Sequence, residues 1–139
     1  MAYSIPIVAM LKKILFFILF SGVILLHAQL SNQGMGDRSL IEEGVRLHDQ
    51  GKYQEAIAKY NAVLLMDKNN LHAMAEKAYT QTSLQDYNAA ISTSKQALKI
   101  KSDDKEALKL VYTTYGNALD LSGNPKAAVK IYDKGLKEH

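Results

Sequence analysis

From Leu40 to Leu136 the small and apolar residues recur every three or four positions and never in strict alternation, which is the signature of helices and not of strands. Leu40, Gly44 and Leu47 fall at i, i+4 and i+7, one face of a first helix. Gly51 breaks the pattern, since glycine accepts the left-handed conformation that ends a helix. A second stripe then runs through Tyr53, Ala56, Ile57, Tyr60, Val63 and Leu64. Polar clusters separate the later stripes. Asp67 to Asn70 offers caps before a third helix, and Asp86 a cap before a fourth. Asp103 with Glu106 three residues on resembles a capping box before a fifth. Gly123, Asn124 and Pro125 give stop, cap and first-turn proline before a sixth.

The pattern repeats. Shifted by 34 residues, Gly44 falls on Ala78, Tyr53 on Tyr87, Ala56 on Ala90, Ile57 on Ile91 and Leu64 on Leu98. A third copy follows 38 residues later, with Gly116, Gly123, Ala128, Val129, Tyr132 and Leu136 in register. Four extra residues add one turn and about 40°, so the third copy predicts a longer fifth helix, about Asp104 to Leu121. A repeat near this length holding two helical stripes predicts a solenoid of stacked hairpins. The small residues Gly44 with Ala56, Ala78 with Ala90 and Gly116 with Ala128 are expected where paired helices cross. There a larger side chain would force the axes beyond the usual 8–10 Å. Tyr60 and Tyr132 are expected to fill the space beside them.

These spacings resemble the tetratricopeptide repeat family over roughly residues 38 to 138. The resemblance implies an all-α, right-handed solenoid of three antiparallel helix pairs, at about 38–70, 71–104 and 105–138. The sequence departs from the family pattern in placing Leu40 and Met74 where an early aromatic is usual, and Lys68 and Ser102 where proline is usual. In this family the first helix of each pair lines a concave groove that binds protein or peptide partners. The resemblance puts Ile41, Glu42, Val45 and His48 there from the first repeat, Glu76 and Tyr79 from the second, and Leu110, Thr113 and Asn117 from the third. Some members grip a C-terminal carboxylate with Lys, Asn and Arg. The matching places here are Ile41, Val45, Glu76 and Leu110 with Glu106 or Thr114, none of which suits a carboxylate, so chaperone tails are not expected as partners. Glu43 and Lys77 occupy equivalent positions on neighbouring first helices, where opposite charges invite a pair.

Ahead of the repeats, Met10 to Gln29 has a Lys-bearing start, an uncharged and mainly apolar run from Ile14 to Leu26, and His-Ala-Gln. That is the layout of a secretory signal, and the run is short for a bilayer-spanning helix, which needs about 20 residues. Residues 1–28 are therefore expected to be a signal peptide cut after Ala28 or an N-terminal membrane anchor, with translation starting at Met1 or at Met10. Both readings place the protein outside the cytoplasm, in the periplasm or cell envelope if bacterial, with membrane contact only if the leader stays. Residues 29–37 are polar and expected to be a flexible linker.

Composition narrows the function. The chain has 17 basic and 14 acidic residues. Two of the basic ones, Lys12 and Lys13, sit in the leader, so the rest is nearly balanced and no nucleic-acid footprint is expected. Without cysteine there is no disulfide or thiolate chemistry. His48, His72 and His139 show no metal-ligand spacing, and no nucleophile has an orienting base, so neither catalysis nor a cofactor is expected. The end of the array reads differently. A solenoid needs a polar outer face at each end, yet the sixth helix carries Val129, Ile131 and Leu136 beyond its inward set. These three are expected to form a contact surface, for a partner or for self-association into a homo-oligomer.

Overall fold

Gly51, Gln85 and Gly123 hold the same place in three successive hairpins, and all three have positive φ, at 73°, 66° and 85°. The computed structural model describes residues 36–138. The leader and most of the expected linker lie outside these, and the chain divides into two units between Asp37 and Arg38. The second unit holds the repeats. Its helices are α1 over 36–49, α2 (Tyr53–Met66), α3 (Leu71–Ser83), α4 (Tyr87–Ala97), α5 (Lys105–Leu121) and α6 (Pro125–Glu138). Among the described residues there is no strand, and no helix is long and apolar enough to cross a membrane.

Each hairpin closes in the same way. The amides of Gly51 and Lys52 donate to the carbonyls of His48 and Leu47; those of Gln85 and Asp86 to Thr82 and Gln81; those of Gly123 and Asn124 to Asp120 and Leu119. This left-handed closure satisfies the last carbonyls of the first helix in each pair. Helix starts are capped by side chains. Asn70, Asp86 and Asp104 accept from the amides of Ala73, Ala89 and Ala107 at 3.0, 3.1 and 3.0 Å. The cap of α5 is thus Asp104 and not the expected Asp103, because α5 begins at Lys105 and only Asp104 stands one residue before it.

Stacking follows chain order. Helix α3 packs against α2, α4 and α5, and α5 against α3, α4 and α6. First helices therefore contact the next first helix as well as their own partner, as a helical solenoid requires. Within the first pair, a Cβ placed on Gly44 would lie 2.5 Å from Cε1 of Tyr60. The Tyr60 ring thus lies directly on bare backbone. The third pair repeats this with Gly116 under the ring of Tyr132. It adds the reverse arrangement, Gly135 of α6 under Tyr112 of α5, whose hydroxyl donates to Glu138. Ala56, Ala78, Ala90 and Ala128 are all buried. In the second pair Ala78 takes the glycine's place and Ser94 the tyrosine's.

The added turn of α5 has a structural use. Ala107, inside that turn, and Val111 bury together with Leu71, Ala75 and Ala97, with Met74 and Leu98 packed alongside. Helix α6 is held more loosely. Ala128 is its one buried residue, and Ile131 and Tyr132 pack partly buried beside Tyr115 and Leu119.

Candidate functional site

The face shared by α1 and α3 carries the densest polar and aromatic contacts. His48, in the last turn of α1, stacks on Tyr79 of α3 with ring centroids 4.8 Å apart and planes tilted by 22°. Tyr53, at the start of α2, meets the same imidazole at 5.2 Å and 60°. Nδ1 of His48 is hydrogen-bonded to the hydroxyl oxygen of buried Thr80 at 2.9 Å. The imidazole is therefore fixed on three sides, and Tyr79 keeps 43% of its surface exposed. An aromatic face held rigid and open to solvent is a low-entropy contact for a partner.

Acidic groups surround this cluster. Burial, with the negative charges of Glu76 and Asp49 adding to it, pushes the Tyr60 hydroxyl up to about 12. Glu76 also stands 3.6 Å from Nε2 of His72. The carboxylate of Glu76 beside the ring raises His72 above 6.5 against the opposing effect of burial. Glu42 pairs with Arg38 at 3.0 Å on the exposed side of α1. Glu43 pairs with Lys59 of α2 at 2.9 Å and not with Lys77. Its helix partner is closer than the next repeat, and Lys77 is half-buried, its ammonium pushed below 10.5 by desolvation.

The predicted groove residues separate into groups. His48 and Tyr79 come together. Val45 and Glu76 are half-buried and Glu42 is exposed. Ile41, predicted to line the groove, is 8% exposed and packs instead with Ala56, Tyr60, Val63 and Ala73. Leu110 is half-buried beside Leu71 and Ala75. Thr113 returns its hydroxyl proton to the Lys109 carbonyl at 2.8 Å and lines a cleft between α5 and α6. Asn117 accepts from the Tyr132 hydroxyl at 2.7 Å, which orients its amide. Of the predicted terminal surface, Val129 and Leu136 are 57% and 81% exposed, but Ile131 turns inward toward Tyr115 and Leu119.

Thr80, Tyr112 and Gly135 were not singled out by the sequence, and Tyr53 was read only as part of the second helix's stripe. Thr80 could have been found as the α3 residue 32 positions from His48, two short of the repeat, where successive first helices face each other. Among the described residues no group of three or more His, Cys, Asp or Glu side chains could hold a metal ion.

Fold and surface together define a class: a short helical-repeat scaffold that offers side chains from successive hairpins. Residues 47–112 match the model of a tetratricopeptide repeat, and the chain belongs to the tetratricopeptide repeat family. Over 98 residues it is 31% identical to a small glutamine-rich tetratricopeptide repeat-containing protein of Dictyostelium discoideum. That match takes in 70% of this chain but only 28% of the relative's length. Among solved structures, the TPR2AB domain of yeast Sti1 in its pHSP90 complex superposes with a TM-score of 0.70 at 25% identity, covering 76% of this chain and 42% of that one. The first TPR of Spaghetti (RPAP3), bound to the HSP90 peptide SRMEEVD, superposes with a TM-score of 0.66 at 24% identity, covering 74% and 79%.

Proposed function

We propose that this protein is a non-catalytic adaptor that binds a protein or peptide partner on the face made by α1, α3 and α5, and that it does so outside the cytoplasm. The observation that carries the binding face is the stacked His48–Tyr79 pair, fixed by Thr80 and Tyr53 and open on one side. The yeast structure with which it shares its fold was solved as a complex, which supports a protein or peptide ligand. The partner here has a different chemistry from an acidic chaperone tail. Val45, Glu76, Leu110 and Thr114 supply no cation at the places where a carboxylate would be gripped, and Glu42, Asp49 and Glu76 would repel one. The apolar run after Lys12 and Lys13 supports export.

Quantitative pull-down from an envelope extract, comparing the wild-type protein with Tyr79→Ala, tests the binding face. A partner set lost in the variant is the expected result, and identical captures would remove the face from consideration. N-terminal sequencing of the mature protein tests export, with Gln29 as the expected first residue if the leader is cut.

A further inference from the structure

At the far side of α5 and α6 lies a cleft of about 540 Å³, floored by Tyr112, Tyr132, Gly135 and Leu136 and lipped by Lys105 and Lys109. The second repeat shows what such a surface receives. Shifted back by 38 residues, Tyr112, Gly135 and Leu136 become Met74, Ala97 and Leu98, and Lys109 and Thr113 become Leu71 and Ala75. In the second repeat all five of those residues pack with Ala107 and Val111, so α5 occupies that surface with a small and a β-branched residue four apart. The cleft beside α5 and α6 is the corresponding seat of the third repeat.

Two changes set its chemistry apart from the internal seat. Leu71, 6% exposed under α5, is replaced by Lys109, and Ala75 by Thr113. A helix settling here as α5 settles on the second repeat would cover Lys109, and covering an ammonium is tolerable only with an anion beside it. Lys105 on the same lip adds to the positive charge of Lys109. Glu106 in the lining opposes it, while Glu138, on the Tyr112 hydroxyl, is paired with Lys134 at 3.7 Å. A second copy of this chain fits poorly, because its own end would bring the same lysines to the contact.

We propose that the cleft seats an amphipathic helix of a partner protein, one that presents a small and a β-branched residue four apart and carries carboxylates facing Lys109. This surface is separate from the His48–Tyr79 face and does not depend on it. The test uses the full chain and two synthetic peptides of about 18 residues, long enough to hold helix. Both carry Ala and Val four apart on one face; Glu flanks the pair in one and Lys in the other. Fluorescence anisotropy should find the Glu peptide bound about tenfold tighter, the worth of one well-placed ion pair. Lys109→Glu should reverse the preference. Leu136→Glu, at an exposed position that leaves the fold intact, should weaken the Glu peptide by a similar factor, and Tyr79→Ala should leave it unchanged. Equal affinity for the two peptides, binding of neither, or an unaltered preference in Lys109→Glu would overturn the proposal. So would a sedimenting dimer that Leu136→Glu dissolves, which would assign the cleft to a second copy.

Discussion

Tyr60 lies on Gly44 so closely that one added methyl decides the local packing. A Cβ at Gly44 would meet two ring atoms at 2.5 and 2.8 Å, and the ring is fully buried and cannot swing away. Gly44→Ala should gain helix propensity yet lose about 1–3 kcal/mol to overpacking, measurable by urea denaturation. The second repeat suggests the compensation. Tyr60→Ser in the Gly44→Ala background recreates the Ala78 and Ser94 combination, so the double variant should lose less than the sum of the two singles. A second prediction concerns His72. Its pKa is raised by Glu76, so this pairing stabilises the fold below the unfolded value of 6.5 and fades as pH rises through the folded one. An NMR titration of His72 should give a pKa above 6.5 that falls in Glu76→Gln. Residue by residue, the sequence exposed the small positions and the tyrosines Tyr60 and Tyr132 beside them, but not every buried neighbour. Ile41 illustrates why. It sits beside Leu40 on a helix flanked by α2 on one side and α3 on the other, and two neighbours widen the buried arc beyond a single stripe. Thr80 was missed for the opposite reason, since a threonine amid polar residues has no periodic signal of its own and only its spacing from His48 marks it.

At the level of elements, the three hairpin turns share one geometry but not one residue. Gln85 adopts the left-handed conformation that Gly51 and Gly123 adopt without strain. Gln85→Gly should therefore raise stability by about 0.5–1 kcal/mol, seen as a higher melting temperature with unchanged helix content. The caps give a matched loss. Asp104→Ala removes the acceptor for the Ala107 amide and should cost about 1 kcal/mol, whereas Asp103→Ala should be nearly silent. Helix number, the 34-residue period and the extended α5 were legible because they rest on patterns many residues long. The Gln85 turn was not, since nothing in a glutamine marks positive φ. The choice between Asp103 and Asp104 turned on a single-residue boundary, which periodicity does not resolve.

For the molecule as a whole, order is unevenly spread. Helices α3 and α5 are packed on several sides, while α6 buries one residue. Hydrogen exchange should accordingly release the α6 amides first and those of α3 and α5 last, because repeat arrays open from their least supported hairpin. Uniform protection across all the helices would argue for a single cooperative block. The seat beyond α5 and α6 also carries an evolutionary consequence. A duplicated hairpin joined after this point would meet a surface that keeps Leu136 but differs from the internal one at Lys109, Tyr112, Thr113 and Gly135, with Lys109 the one change that adds a charge. At the opposite end Arg38, Ser39, Glu42 and Arg46 all face outward and offer no comparable landing. An added hairpin would thus find a partly apolar seat beside α6 and charged side chains beside α1.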